Sequence, residues 1–440
     1  MVRLRSPRER DAAVVPAGGR SRLSRNQVRG FWAAWGGWAL DGMDSFIYAL
    51  VLAPALAELL PRSGIPATPG NIGYYGSVLF ALFLVGWGLS MLWGPVADRF
   101  GRVKALMLTI LCYSVFTFLC AVVTSVWQLA VLRLLAGIGI GGEWSMGGTF
   151  VAEEWPEDRR KSGAGYMHTG YYFGFFLAAL ANYFVGARYG WRAMFAVGGT
   201  PALLVTFIRY GVHESAAWRH LEPAQRPAMS ASFLRLFSPE YSRRTVLNSM
   251  FLLVSIVGLW AGSVYVPASV TQIATRSGRT AAEAARLASY GTMLLSAGTI
   301  AGCMVLPWMA EAIGRRATLA VYFAIMFFSI AIGFGYLFYL PDALAPFLAC
   351  LFVLGVGGAN FAMYTLWLPE QYTTDCRASA FAFATSIGRF AGAGITFLVG
   401  AGVAYYHTIG TPVAFTSAAF LVGLALLPFG EETRGKPLPE

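Results

Sequence analysis

The stretch GWALDGMDSFIYALVL, residues 36–51, places Asp41 and Asp44 three positions apart in an otherwise apolar run. On a helix that spacing sets both carboxylates on one face. At bilayer depth a lone carboxylate costs roughly 2.5–3.5 kcal/mol. Two on one face also repel, and a proton taken up by one of them relieves the repulsion. An acid that gains and loses a proton beside water is what proton coupling requires. The competing use is a helix-to-helix salt bridge with Arg133 or Arg389.

Few other ionisable groups fall inside apolar runs: Arg133, Glu143 and Arg389, with His168 as a titratable neutral. Glu143 lies about 15 Å of helix from Arg133, too far for the two to pair. It is a second proton-site candidate, or else a buried polar anchor. Arg389, in TSIGRFAGAG (385–394), offers a planar fork that matches a carboxylate bidentately. No acid lies within a helical turn of it, so its counter-charge comes from another helix or arrives as an anionic substrate. Tyr171, Tyr172, Trp260, Asn360 and Tyr364 are candidates to complete a half-polar pocket, or simply to pack. His168 either joins a proton path or bonds a neighbour.

The elements that must hold these groups are membrane helices. The 440 residues are 57% hydrophobic and 12% charged, against about 25% charged in a soluble protein, and mean hydropathy is +0.57. Twelve apolar runs lie near 31–60, 73–95, 105–124, 127–153, 163–187, 193–210, 246–272, 287–310, 318–340, 346–369, 380–406 and 412–430. These runs reach the length of about 20 residues that a bilayer demands. The expected fold is an all-α polytopic membrane protein, with twelve transmembrane helices in two pseudo-symmetric six-helix bundles. Its organisation is an Arg-rich tail (1–30), an N-terminal bundle (31–210), a polar central loop (211–245), a C-terminal bundle (246–430) and a tail (431–440).

The net charge of +11 does not point to nucleic acid, because most of the 33 basic residues sit in short segments between runs. On one side of the membrane only Arg62, Arg188, Arg192, Arg276, Arg279 and Arg286 are found. The positive-inside rule therefore places both termini in the cytoplasm. The five cysteines are scattered, with no metal or disulfide spacing. HESAAWRH (213–220) is not HExxH, and the glycines of 137–142 lack the strand that a nucleotide fingerprint needs. No metal, cofactor or catalytic constellation is expected, and the chain is not read as an enzyme.

The two halves echo each other. GPVADRFGRVKAL (94–106) and PWMAEAIGRRATL (307–319) align Asp98 with Glu311 and Arg102 with Arg315, at an offset of 213. At an offset of 216, 139–162 matches 355–379 and sets Glu154 against Glu370 and Lys161 against Arg377. GPVADRFGRVKAL resembles the loop 2–3 signature of the major facilitator superfamily, and RLLAGIGIGGEW (133–144) its fourth-helix motif. ESAAWRHL (214–221) and EETRGKPLPE (431–440) resemble its sugar- and metabolite-porter branches, and DGMDS (41–45) its proton-coupled organic-acid symporters, the sialate/lactate and aromatic-acid groups.

The resemblance implies a secondary transporter of the inner membrane, working as a monomer by alternating access. It would symport a proton and a small organic anion such as a monocarboxylate, an aromatic acid or a sialate-like acid. Spans one, four, five and eleven would line the cavity, while three, six, nine and twelve would face lipid. It assigns Arg133 to proton handling, the alternative being a structural hydrogen bond to backbone carbonyls, and Asp98, Arg99, Arg102, Glu311 and Arg315 to gating; Glu154 and Glu370 are candidates for the same inner network. The alternatives are a proton-driven exporter, a porter of neutral sugars or metabolites, and a transporter-like ligand sensor.

Overall fold

The computed structural model describes residues 21–220, 228–263 and 265–439, apart from the side chains of a few helix residues. Among the described residues, twelve helical rods follow one another. The first six are α1 (Arg25–Arg62), α2 (Pro69–Leu89, carried on by Trp93–Phe100), α3 (Arg102–Leu119), α4 (Val126–Glu154), α5 (Glu157–Ala181) and α6 (Ala187–Val197 with Ala202–Gly211). The second six are α7 (Ser242–Ser263 with Val266–Arg276), α8 (Ala281–Ala312), α9 (Arg315–Gly335), α10 (Leu344–Gly358 with Asn360–Trp367), α11 (Arg377–Tyr406) and α12 (Gly410–Phe415 with Ala418–Leu426). Nine of these rods are each long and apolar enough to cross a membrane. By position, α5, α7 and α11 complete the twelve.

Several rods begin outside the apolar runs because polar residues satisfy their first backbone N–H groups. Ser24 and Gln27 form a capping box at the start of α1, and Thr280 with Glu283 forms one at α8. Lipid takes the apolar outer faces of the rods without inward charges. Leu108, Val115 and Phe118 of α3, Leu203 and Phe207 of α6, Phe328 and Ile332 of α9, and Leu421 of α12 all point outward and exposed.

Within the first bundle α1 packs on α5 and α4, and within the second α7 packs on α11 and α8 on α10. The bundles meet along α2–α11 and α5–α8, pairs that exchange under the two-fold pseudo-symmetry. Gly42, between the two aspartates, permits the α1–α5 approach: a Cβ there would run into the backbone carbonyl of Tyr171.

Candidate transport site and gate

The two aspartates of α1 part company. Asp44 Oδ2 meets Arg133 Nη1 at 3.4 Å, with both side chains fully buried. The guanidinium also lies 4.4 Å from the centroids of both the Tyr48 and Phe83 rings. Arg133 is thus enclosed by one carboxylate and two aromatic faces, inside the first bundle.

Asp41, one turn earlier, turns toward Glu143 of α4, and the two carboxyls interact directly. One Glu143 oxygen sits where a Cβ on Gly37 would be, so α1 makes room for the acid by omitting a side chain. Both acids are fully buried, and the Tyr113 hydroxyl, which has no other partner, is the donor beside Glu143, while Asp41 has none among the described residues. Two ionised carboxyls cannot bond to each other. A proton on either acid would give it a donor for the other.

Arg389 of α11 faces this pair from the second bundle and acts on Asp41 without an ion-pair contact. Its guanidinium lies 3.9 Å from the centroid of the Trp87 ring, and its Nη1 donates to the Thr385 carbonyl. Its Nε has no partner, and among the described residues no carboxylate pairs with it. Beside it opens a small cleft of about 80 Å³, lined by Trp38, Trp87, Trp144, His168, Tyr171, Tyr172, Phe175, Ile256, Leu295 and Phe361 as well. Its lining is mostly apolar with a few fixed polar groups, the make-up of small-molecule sites.

The face that carries the described chain ends is sealed between the bundles. Asp98 accepts from the backbone N–H of Ala378 (3.2 Å) and Ser379 (3.0 Å) at the start of α11. Glu153 holds Arg102 of its own bundle at 2.9 Å and Arg377 of the other at 2.8 Å. Glu370 holds Arg315 of its own bundle at 2.6 Å and Arg160 of the other at 3.3 Å. Each glutamate also accepts a hydroxyl bond of 2.5 Å, from Ser215 and Thr433 respectively. The two halves are therefore copies of one latch, and each copy reaches across to the other bundle.

The backbone beneath the latch is also duplicated. Gly101 and Gly314 have φ of +111° and +89°, a turn that L side chains rarely adopt. Glu214 then accepts from the N–H of Arg102 at 2.9 Å, and Glu432 from that of Arg315 at 3.0 Å. Burial alone would push the Glu432 carboxyl up, but the N–H groups of Arg315, Arg316 and Arg434 outweigh it and hold it below the usual carboxylate range. Glu311 meets Lys161 at the start of α5, the position that mirrors Asp98 at α11.

Residues 34–393 match the Major Facilitator Superfamily. The chain belongs to that superfamily. It is 30% identical to the probable 4-methylmuconolactone transporter of Cupriavidus pinatubonensis, with 94% of this chain and 92% of that one covered. It is 25% identical to the niacin transporter NiaP of Acinetobacter baylyi, covering 92% and 94%. Among solved structures, the major facilitator proton:xylose symporter XylE bound to 6-bromo-6-deoxy-D-glucose superposes with a TM-score of 0.75. It shares 18% identity, with 95% of this chain and 98% of that chain covered. The protein is a membrane transporter of the major facilitator fold and not an enzyme.

In this major facilitator the residues singled out from sequence fall into three groups. Asp41, Glu143, Arg389, Tyr171, Tyr172 and His168 gather at or beside the central cleft, with Asp44 and Arg133 behind them. Asp98, Arg102, Arg315, Glu311 and Glu370 lie in the latch, while Arg99 is exposed beside it. Asn360 and Tyr364 do not line the cleft. Asn360 donates to the Gly357 carbonyl at 2.8 Å, and Tyr364 bonds Ser255 at 2.7 Å, bracing α10 against α7. The side chain of Trp260 lies outside the described residues, as do residues 1–20 of the tail and 221–227 of the central loop.

One expectation needs correcting. Glu154 is not the latch glutamate; it accepts from Asn26 Nδ2 at 2.9 Å and Ala216 N at 3.1 Å, tying α1 to the central loop. The repeat register at the end of α4 is 217, pairing Glu153 with Glu370 and Arg160 with Arg377. Sequence reasoning therefore missed Glu153, Arg160 and Arg377. It also missed Trp38 and Trp144, although their positions beside Asp41 and Glu143 on the same helices offered a signal.

Proposed function

We propose that this transporter carries a small organic anion together with a proton into the cell. Arg389 is the anion clamp, and the Asp41–Glu143 pair is the proton site. The observation that carries the reading is a buried guanidinium with no carboxylate of its own, facing two buried acids that have only the Tyr113 hydroxyl beside them. A bidentate carboxylate would complete the first and a proton the second. Each event brings a charge that the other neutralises, so loading both lowers the cost of carrying either through the low-dielectric centre.

Asp44 and Arg133 serve as a fixed pair that holds α1 against α4 and keeps a second free acid away from the cleft. The latch of Glu153 and Glu370 closes one side while the site loads from the other. The excess of Lys and Arg on the latched side supports a cytoplasmic placement of the termini in the inner membrane. Relatives that transport niacin and, with a probable assignment, 4-methylmuconolactone agree with a small organic cargo.

The reading is tested with purified protein in liposomes. An acid-outside pH gradient should accumulate a radiolabelled monocarboxylate several-fold above its external concentration, and dissipating the gradient should remove the accumulation. Accumulation that ignores the gradient would exclude proton symport.

A further inference from the structure

The cleft has polar groups that the anion clamp does not use. On the first bundle, Trp38 of α1 and His168 of α5 both line it, with ring centroids 5.9 Å apart. Trp38 is 3% exposed and its indole Nε1 has no partner; His168 is 3% exposed and its Nδ1 has none either. An indole N–H is a donor only, and leaving it unpaired in a buried site forfeits the hydrogen bond it would make in water. Trp144 makes the contrast: stacked on Trp38 with centroids 5.5 Å apart, it spends its own N–H on Thr365 Oγ1 at 2.9 Å. Trp38 and His168 are kept without such partners.

The walls around these groups are flat. Trp38 lies against Tyr171 at 4.7 Å and Trp144 at 5.5 Å. His168 and Phe361, one from each bundle, have parallel rings, 2° apart in plane with centroids at 6.2 Å. Arg389 rests on the face of Trp87 at 3.9 Å from the ring centroid, on the same cleft. Aromatic walls favour a flat unsaturated body over a puckered one, because its whole face reaches van der Waals contact.

We propose that Trp38 and His168 form a second polar subsite that reads a hydrogen-bond acceptor on the substrate, at the end remote from its carboxylate. The substrate class is then a planar, unsaturated carboxylate with a ring nitrogen, hydroxyl or carbonyl at its far edge. This inference rests on Arg389 holding the carboxylate. A site built around unpaired donors rejects an analogue that lacks the acceptor far better than an apolar slot does.

The test compares benzoate, isonicotinate (pyridine-4-carboxylate) and 4-hydroxybenzoate, flat acids of similar size of which only the last two carry a far-edge polar group. Binding is measured on the purified full chain by thermal shift and calorimetry. The wild type should bind the better of the two substituted acids at least tenfold more tightly than benzoate. Trp38→Phe and His168→Phe should each bring that ratio to within threefold, the loss falling more on the substituted acids than on benzoate. Arg389→Ala should weaken all three together and leave the ratio intact, which separates failure of the anion clamp from failure of the subsite. Equal affinity for the three acids in the wild type overturns the subsite, as does a uniform loss in Trp38→Phe, the mark of a packing role. Absence of Arg389-dependent binding by any of them overturns the clamp and the subsite together.

Discussion

Asp44 and Arg133 form a fully buried ion pair at 3.4 Å, and this pairing leaves Asp41, one turn away on the same helix, free to meet Glu143. The two aspartates of DGMDS thus do different work, although they share a helix and a similar depth. One is committed to a fixed cation. The other belongs to a buried acid pair, the proposed proton site.

Removing one partner of a buried ion pair leaves the other uncompensated, at about 3–5 kcal/mol. Asp44→Asn and Arg133→Gln should therefore each lower thermal stability in detergent clearly. Asp41→Asn, which removes a like charge beside Glu143, should be neutral or stabilising. Melting curves of the three variants decide this, and a destabilised Asp41→Asn with an unchanged Asp44→Asn would reverse the assignment.

Arg389→Ala should weaken anion binding by about 30-fold or more, from the roughly 2–5 kcal/mol that truncating a buried charged hydrogen-bonding partner costs. Arg389→Lys should recover only part of the loss, because an ammonium lacks the planar fork. Equilibrium binding of a monocarboxylate measures both. Full affinity in Arg389→Ala would leave the clamp without support.

The latch can be tested by its register. Glu153→Gln and Glu370→Gln each remove the charge that two arginines share across the bundles, so each should open that face. The readout is faster alkylation of a cysteine placed behind the latch. Glu154→Gln, whose partners are Asn26 and Ala216, should leave the alkylation rate unchanged.

Gly42→Ala should push α1 off α5, since the added methyl collides with the Tyr171 carbonyl rather than with a movable side chain. Loss of both stability and uptake is expected. A fully active Gly42→Ala would show that this contact yields readily.

The twelve spans and the two bundles were legible because apolar runs, charge asymmetry and the internal echo are periodic signals carried by many residues. The candidate acids were also legible, since a charge in an apolar run stands out against its neighbours. Their partners were not. Whether Asp41 meets Asp44, Arg133 or Glu143 depends on the rotation of α1 against α4, which no spacing along one chain records. The choice between Glu153 and Glu154 failed for the same reason: adjacent glutamates at a helix end differ by about 100° of rotation, so a one-residue slip exchanges a latch for a loop tie. Trp38 and Trp144 escaped because tryptophan in a membrane helix is ordinary, and nearness to Asp41 and Glu143 along the chain is a weaker signal than the unpaired indole N–H of Trp38.

Proton movement measured directly in liposomes tests the central claim best. With a pH-sensitive dye inside and no imposed gradient, adding a carboxylate outside should acidify the lumen in the wild type. Asp41→Asn and Glu143→Gln should each abolish that acidification while still exchanging labelled for unlabelled substrate. Substrate-driven acidification that survives in both variants would contradict the assignment of the Asp41–Glu143 pair as the proton site.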